Sequence, residues 1–295
     1  MVQKKTFGRI IFEIINTVLL IGIALACVMP LLHVLFSSLS DPRALARNEG
    51  VVLWPLGEAT LKGYQLVFRN PNIAQGYGNT IFYVTTATLL GTFMCALCGY
   101  ILSRSGLMWK GILMFFVTFT MMFSGGLIPF YMVVRNLGWI DKRIALIVPG
   151  CISVFNVIIM RTSFMSIPAS LEESAKLDGA GHMTILFKII LPLSKAVVAV
   201  IVLFIAVGQW NSWFFAMIFL QTRALFPLQL ILREILVQND TSKIMVGSDA
   251  VAQMDLYKPL VQYCTTIVAT APILCIYPFV QKYFVTGVMI GSLKG

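Results

Sequence analysis

The segment from Glu172 to Pro192, EESAKLDGAGHMTILFKIILP, is the part of this sequence whose residue types and spacing suit a specific contact. Five of its residues are charged, whereas the runs Val148–Met160 and Ala196–Val207 on either side are almost wholly apolar. Each charge would cost about 2.5–3.5 kcal/mol at the centre of a bilayer. The sequence therefore predicts a polar segment, held outside the hydrocarbon, between two apolar ones.

The spacing within this segment predicts two short helices joined by a tight turn. Ser170 stands three residues before Glu173, the spacing of a capping box, which predicts a helix from Ser170 to about Leu177. Gly179 can adopt the left-handed conformation that ends such a helix. Pro192 is expected to close the segment or to open the next span. A second helix is predicted from apolar residues that share one face: Ile185, Leu186, Ile189 and Ile190.

Each predicted helix is shorter than the roughly 12–15 residues that an isolated helix needs in water. The pair must therefore dock against another surface. Two surfaces remain open at this point: the apolar spans of the same chain, or a separate protein on the cytoplasmic side of the membrane.

Motifs for catalysis and cofactor binding are missing from the sequence. It contains no G-x-x-x-x-G-K-[ST] phosphate loop, no G-x-S-x-G elbow and no cluster with metal-ligand spacing. The six cysteines fall in or at the ends of apolar runs, where they are expected to pack as small apolar side chains. We therefore expect a protein that is not an enzyme and that binds no cofactor itself.

The composition is that of a multi-span membrane protein. The chain has 295 residues, 58% hydrophobic and 12% charged, whereas soluble domains are about 45–50% apolar and about 25% charged. Apolar runs long enough to cross a bilayer predict an all-α protein with six spans in one transmembrane domain covering 1–295. The expected spans are approximately 10–36, 79–102, 112–134, 144–164, 193–220 and 257–280.

The net charge of +10 is distributed as in a membrane protein. No basic cluster is interleaved with aromatic residues, so nucleic acid is not expected as a partner. Six spans put both termini on one side, and a cytoplasmic placement divides the 22 Lys and Arg residues equally between the two sides. The short basic loop Ser103–Gly111 favours that placement, because short loops weigh most in setting orientation. The segments 38–78 and 221–256 are then the long outer loops.

Polar residues within the spans are the candidates for contact with a transported solute. Amides in lipid must find partners, and sugars are bound by hydrogen-bonding groups together with flat apolar faces. The same residues could instead bond neighbouring helices, and the tryptophans could be interfacial anchors. The candidates are Asn79, Tyr83, Asn156, Gln209, Trp210, Asn211 and Trp213.

Other polar residues of the first span have no such role. His33 is expected to bond locally or to lie at the interface, while Glu13 and Asn16 have no assigned role.

Ion-coupled carriers place ionisable groups deep in their spans, but the runs Ile81–Leu102, Ile112–Val134, Ile144–Met160 and Ala196–Leu220 contain no Asp, Glu, Lys, Arg or His. That composition suits a carrier driven from outside the membrane.

The polar segment resembles the EAA motif of ABC importer permeases, which reads E-A-A, three residues, G, nine residues, I-x-L-P. All spacings match, and Ser174 in place of alanine is the single departure. In that family the corresponding segment forms coupling helices, here 170–190, which sit in a groove of the ATP-binding subunit. The resemblance implies ATPase-coupling roles for Glu172, Glu173, Ser174, Ala175, Asp178, Gly179, Ala180, Ile189, Leu191 and Pro192.

Further stretches extend the resemblance over nearly the whole chain. Gly125–Trp139, Ile158–Pro168 and Gln281–Gly295 are similar to the maltose-permease type, the smaller six-span subunit of type I ABC importers. The chain also resembles the LplC-like permeases of oligosaccharide and polysaccharide uptake. In maltose-type permeases the C-terminal tail reaches the ATPase subunits, which implies such a contact for Ser292, Leu293, Lys294 and Gly295.

The resemblance also implies partners and a location. They are a second, different permease, two ATP-binding cassette subunits that hold ATP and Mg²⁺, an extracellular solute-binding protein, membrane lipid and an oligosaccharide. The location is the bacterial cytoplasmic membrane. Two alternatives stay open: an ion-coupled secondary carrier, and a membrane subunit that assists assembly without transporting.

Overall fold

The structure is a computed structural model that describes residues 7–237 and 251–292, without the side chains of 237, 251–255, 277 and 279–292. All regular structure in these residues is helical, which confirms the all-α prediction. The α-helices are α1 (Phe7–Ser38), α2 (Pro42–Arg47), α3 (Lys62–Arg69), α4 (Pro71–Ser103), α5 (Lys110–Met122), α6 (Leu127–Asn136), α7 (Ile144–Ile147), α8 (Val154–Met165), α9 (Ala169–Leu177), α10 (His182–Ile185), α11 (Leu191–Leu193), α12 (Lys195–Trp210), α13 (Phe214–Phe219), α14 (Leu228–Val237) and α15 (Val251–Ser292).

Three helices in the described ranges are long and apolar enough to cross a bilayer unbroken: α1, α4 and the part Leu256–Ile276 of α15. Three further pairs satisfy the same criterion when each bent pair is counted as one span: α5 with α6, α8 with α9, and the helical run His182–Leu193 with α12. The described residues thus hold between three and six candidate spans. The count of six and the sides of the termini remain predictions.

The predicted spans 112–134, 144–164 and 193–220 are interrupted, which the apolar pattern did not indicate. Gly126, at a φ of 89°, precedes α6 after a bend of 112° from α5. Pro149 and Gly150 occupy a turn closed by the Cys151 N–H and the Val148 carbonyl at 3.1 Å, between α7 and α8. The third span bends by 89° at Ser194 and ends a helix at Trp210. Proline and left-handed glycine end helices even where every neighbour is apolar.

Backbone contacts divide the chain into two compact units, each described separately below. Among the described residues, one unit comprises 7–71 with 234–237 and 251–271, and the other comprises 72–233 with 272–292. The segments predicted as outer loops are partly helical, since they contain α2, α3, all of α14 and the first residues of α4 and α15. Residues 238–250 of the second of these loops lie outside the described residues.

The first unit contains α1, the short helices α2 and α3, and the part of α15 up to Ala271. His33 accepts a hydrogen bond from the Val52 N–H at 2.9 Å, and its other ring nitrogen is 3.2 Å from the Tyr263 hydroxyl, which confirms that it bonds locally. The Cys264 thiol donates to the Ser38 carbonyl at 3.3 Å. Otherwise α1 is exposed: Ser37 and Ser38 are its buried residues. Such an apolar surface on a 32-residue helix suits lipid or a partner helix.

The second unit is built around α4, whose glycines allow close helix crossings. A Cβ added to Gly99 would lie 2.9 Å from the Met160 Cβ, and one added to Gly91 would lie 2.8 Å from the Cys151 carbonyl oxygen. Small residues let membrane helices approach in this way. The packed core that results contains Cys95, Tyr100, Met160, Phe164 and Ile201 among its buried members.

Candidate functional site

The first helix of the polar segment, α9, begins one residue earlier than predicted and without a capping box. Its N-cap is Pro168, and no side chain caps it. Pro168 enters the helix with φ −56° and ψ 132°, so that Ala169 is already helical and Ser170 lies within the first turn. The predicted capping box between Ser170 and Glu173 is therefore wrong, because Ser170 lies inside the helix and the N-cap position is taken by Pro168.

The end of α9 follows the prediction closely. Gly179 has a φ of 80°, in the left-handed region. Its N–H bonds the Lys176 carbonyl at 3.0 Å, and the Ala180 N–H bonds the Ala175 carbonyl at 2.9 Å. These two bonds form a Schellman motif, which satisfies the last carbonyls of the helix. The chain thus reverses at Gly179 because glycine adopts this conformation without steric cost.

The second helix carries the predicted apolar face but contains a wide turn. Ile185, Leu186 and Ile190 are buried and Ile189 is half-buried, which confirms that face. Residues Leu186–Ile190 form a π-turn between α10 and α11. Pro192 lies inside α11 and has no N–H to bond the Lys188 carbonyl, so a widened turn at this point is expected.

The hairpin formed by 169–193 has two different faces. Its inner face packs against the core of its own unit through Ala175, Ile185, Leu186 and Ile190. Its outer face is exposed: Leu177 retains 89% of its accessible surface, and the members of the EAA pattern on this face are Glu173, Ser174, Asp178, Gly179 and Pro192. Of the two docking surfaces left open by the sequence, the spans of the same chain thus cover one face, and the other face is available to a partner.

The inner face also holds an ion-pair network centred on the buried Glu172. Glu172 pairs with Arg104, and the two side chains are 11% and 20% exposed. Lys176 reaches the other carboxylate oxygen of Glu172 at 3.0 Å. The Arg104 guanidinium lies 4.6 Å from the centre of the Tyr100 ring, a cation–π distance. Burial lowers the pKa of Arg104 from its ordinary value, with the Tyr100 phenol acting in the opposite direction, yet an arginine remains charged at neutral pH.

Further bonds join the end of α4 to its surroundings. The Tyr100 hydroxyl is 3.1 Å from Nδ1 of His182, the first residue of α10. The Lys110 ammonium donates to the Arg104 carbonyl at 2.9 Å, and the Arg161 guanidinium donates to the Leu102 carbonyl at 3.1 Å. Tyr100, Arg104, Lys110 and His182 line a cleft of about 770 Å³ between the loop after α4 and the hairpin. Arg104 and Tyr100 were not singled out by the sequence, although Arg104 lies in the short basic loop that it marked.

Two of the predicted solute-path residues are engaged with the protein itself. Asn79 is 4% exposed, donates to the Ala224 and Phe226 carbonyls at 2.8 and 3.1 Å, and accepts from Arg143 at 3.0 Å. Tyr83 is 1% exposed and donates to the Leu225 carbonyl at 2.9 Å. Both side chains tie α4 to the segment before α14.

Two other candidates line a shallow cleft of about 520 Å³. Asn156 of α8 and Gln209 of α12 share it with Ser153 and with the rings of Phe155 and Phe204. These rings are 6.4 Å apart and inclined by 33°. The helix break after α7 supplies Gly150 to the same cleft. Irregular backbone at membrane depth is tolerated where it is buried or lines a cavity.

The remaining candidates lie around the end of α12. Trp210 is 8% exposed and contacts the Tyr77 ring edge-on at 6.3 Å. Asn211 bonds the Val207 carbonyl in its own helix at 3.1 Å, and Trp213 lies under the Arg233 guanidinium at 4.6 Å. Of the predicted tail contacts, Ser292 ends α15, whereas Leu293, Lys294 and Gly295 lie outside the described residues.

A second polar cluster, missed by the sequence reasoning, joins two loops of the same unit. Asp141, at a φ of 58°, accepts from the Gln221 and Thr222 N–H groups at 2.9 and 2.8 Å and from the Thr222 hydroxyl at 2.5 Å. These bonds lower the pKa of the Asp141 carboxyl. The residues are about 80 apart in the chain, so that no local pattern indicates their contact.

Long apolar helices, broken spans and a polar hairpin with one exposed face define a polytopic helical membrane protein of the permease class. Comparison with known proteins agrees with that class. Residues 87–290 match the family "Binding-protein-dependent transport system inner membrane component", and the chain belongs to that family. The protein is accordingly an inner-membrane transport permease.

Similar proteins cover the chain almost completely. It is 37% identical over 290 residues to the polygalacturonan/rhamnogalacturonan transport system permease protein YtcP of Bacillus subtilis (strain 168), covering 97% of this chain and 99% of that protein. Protein LplC of the same organism is 35% identical over 98% of this chain and 96% of its own length. A chain from the crystal structure of a bacterial ABC transporter involved in the import of the acidic polysaccharide alginate superposes with a TM-score of 0.87, at 31% identity, over 96% of this chain and 99% of that one.

Proposed function

We propose that this protein is one of two permease subunits of an ATP-driven importer and carries an oligosaccharide or a polysaccharide fragment across the cytoplasmic membrane. The observation that carries the proposal is the hairpin: one face is held by the protein's own core, and the EAA residues Glu173, Ser174 and Asp178 stand exposed on the other. A small exposed face of this kind, with Leu177 uncovered, is suited to insertion into a partner's groove.

The substrate class is taken from the similar proteins. YtcP is named for polygalacturonan and rhamnogalacturonan, and the superposed transporter imports alginate. All three are polysaccharides, which favours a saccharide for this chain over an ion or an amino acid. We assign the solute path to the cleft that contains Asn156 and Gln209, because it combines amide groups with the rings of Phe155 and Phe204. Sugars offer hydroxyls and apolar faces to such groups.

The residues of this chain indicate which tasks belong to the other subunits of the importer. In the sequence there is no phosphate-binding loop, so ATP and Mg²⁺ belong to two separate ATPase subunits that grip the outer face of the hairpin. A second, different permease would cover part of the exposed apolar surface. An extracellular solute-binding protein would deliver the saccharide to the segments 38–78 and 221–256, and deletions within them would weaken its docking.

Purification from native membranes followed by reconstitution tests the proposal. We expect ATPase chains and a second permease to co-purify with this chain, and the complex in proteoliposomes to take up oligogalacturonides or a related fragment when ATP and binding protein are supplied. Uptake by the chain alone, driven by a proton or sodium gradient, would establish an ion-coupled carrier instead. A complex in which Asn156→Ala, Gln209→Ala and polar substitutions in α12 leave uptake unchanged would favour a subunit for assembly only.

A further inference from the structure

We infer that α4 is a rigid strut that links the coupling hairpin to the segment 222–228, with Arg104 and Tyr100 as positioning residues at the hairpin end. The inference rests on the proposed function, because it describes how a stroke applied to the hairpin travels through the protein. It concerns residues of one compact unit, Asn72–Arg233.

The hairpin end of the strut grips both helices of the hairpin. Arg104, the first residue after α4, pairs with Glu172 of α9. Tyr100, one turn earlier, bonds His182 of α10 at 3.1 Å and lies under the Arg104 guanidinium. The Ser103 hydroxyl accepts from the guanidinium Nη2 at 2.9 Å, so the arginine is oriented from its own helix as well. A push on either helix of the hairpin is therefore delivered to the last turn of α4.

The pair of Arg104 and Glu172 differs from an ordinary surface ion pair because both side chains are largely buried. The whole Glu172 residue is 9% exposed, and one of its carboxylate oxygens pairs with Arg104 and the other with Lys176. Exposed pairs of the same chemistry constrain little, because solvent competes for both charges. Arg9 and Glu13 in α1 form such a pair at 3.2 Å, with side chains 57% and 38% exposed. The exposed pair of Arg9 and Glu13 can therefore be compared directly with the largely buried pair of Arg104 and Glu172.

The other end of α4 is also held by hydrogen bonds, in this case to the segment 224–228. Asn79 and Tyr83 bond three carbonyls in the segment 224–226, and the Thr80 hydroxyl accepts from the Leu228 N–H at 2.8 Å. A Cβ on Gly76 would lie 3.1 Å from the Leu228 Cα, so the two backbones are nearly in contact. This explains why Asn79 and Tyr83 are buried and fully bonded rather than open to a solute.

Between these ends α4 is one uninterrupted helix. It has 33 residues, and the part from Thr80 to its last residue, Ser103, spans about 35 Å at a rise of 1.5 Å per residue. The helices that follow it in this unit are broken at Gly126, Pro149 and Ser194, whereas α4 has no break. An unbroken helix anchored by polar bonds at both ends moves as one body, so displacement of the hairpin displaces the segment 222–228.

The experiment compares the assembled, reconstituted transporter with variants at the hairpin end. Glu172→Gln and Arg104→Gln should each lower the ratio of solute transported to ATP hydrolysed by at least about fivefold, the lower end of typical coupling between sites. Arg104→Lys, which keeps a cation beside Glu172, should retain a larger part of that ratio than Arg104→Gln. Tyr100→Phe should give a smaller loss, since it removes the bond to His182 but keeps the ring under Arg104. Glu13→Gln is the matched control and should leave the ratio unchanged.

A second readout reports on the far end directly. Adding a non-hydrolysable ATP analogue to the parent complex should change amide hydrogen exchange in a peptide covering 222–230, and the change should be absent in Glu172→Gln. A merely structural ion pair would lower the unfolding temperature of these variants without removing the nucleotide response in folded complexes. Unchanged transport ratios and an unchanged response in Glu172→Gln and Arg104→Gln would overturn the strut while leaving the proposed function intact. A parent complex without ATPase chains would instead overturn the proposed function.

Discussion

Glu172 and Glu173 are neighbours in the chain, point about 100° apart around α9, and differ in burial. Glu172 is 9% exposed and paired with Arg104, whereas Glu173 is exposed on the outer face. We expect Glu172→Gln to lower the free energy of unfolding by about 1–3 kcal/mol, because a half-buried guanidinium loses its partner. Glu173→Gln should change it by less than about 0.5 kcal/mol. Thermal unfolding of the purified chain in detergent measures both.

The two glutamates should also differ in assembly. Glu173→Lys is expected to reduce the amount of ATPase subunit that co-purifies, with membrane insertion unchanged, since the charge of the outer face is reversed. Glu13→Lys is the control, because Glu13 lies in α1, in the other unit. If this variant lost as much ATPase subunit as Glu173→Lys, any reversed charge would have the effect. That result would contradict a specific contact at Glu173.

Gly179 is required for its backbone conformation and not for space. Its φ is 80°, and an added Cβ would meet no atom within 4 Å. Gly179→Ala should therefore destabilise the turn by about 1 kcal/mol, the approximate cost of a left-handed residue with a side chain. Hydrogen exchange at the Ala180 amide, which closes the Schellman motif, measures this opening. Gly181 is the matched control: it lies two residues later, also in open space, at a φ of −73°, and Gly181→Ala should leave exchange nearly unchanged.

Gly99 is required for space. Its added Cβ would lie 2.9 Å from the Met160 Cβ and 3.1 Å from the Arg161 backbone nitrogen. Gly99→Ala should destabilise by about 1–3 kcal/mol, as overpacking does. Gly78, in the same helix, has nothing within 4 Å of an added Cβ, and Gly78→Ala should stabilise by up to about 1 kcal/mol. Unfolding temperatures that move in the same direction for both variants would contradict the close crossing of α4 and α8.

The Asp141 cluster predicts a dependence on pH. Hydrogen bonds from Thr222 and Gln221 lower the pKa of Asp141 in the folded protein. The stabilisation is therefore complete above the ordinary aspartate value of about 3.9 and disappears as the pH falls through the lower folded value. The protection factors of the Gln221 and Thr222 amides, that is, their exchange relative to the intrinsic rate at each pH, should be high at neutral pH and fall in this acid range. In Asp141→Asn, which tolerates the left-handed backbone but does not titrate, the acid step should be missing.

Asn79 and Asn156 should respond differently although both are span asparagines. Asn79→Ala removes three hydrogen bonds at a site that is 4% exposed, and should lower stability by about 1–3 kcal/mol. Asn156 lines the cleft with Gln209. Asn156→Ala should therefore mainly raise the solute concentration needed for half-maximal uptake. Unfolding curves and uptake kinetics on the same preparations distinguish them. A transport defect without destabilisation in Asn79→Ala would return that residue to the solute path.

Features set by local chemistry were predictable from the sequence. The apolar runs determined an all-helical membrane protein, the five charges placed a polar segment between two of them, and Gly179 determined where α9 ends. The spacing of Ile185, Leu186 and Ile190 determined the buried face of the second helix. Each of these depends on neighbours within one or two turns, which a linear pattern contains. The capping box failed because the helix begins one residue earlier, with Pro168 rather than Ser170 at the N-cap position.

Only the tertiary structure decided which polar residues serve the fold. Asn79 and Asn156 read alike in sequence, yet one is bonded to carbonyls near residue 225 and the other lines a cleft. Arg104 and Glu172, or Asp141 and Thr222, are separated by about 70 and 80 positions and meet because whole helices pack. Such partners are selected by burial, since a polar group removed from water must find a partner wherever the packing supplies one. No local pattern encodes that choice.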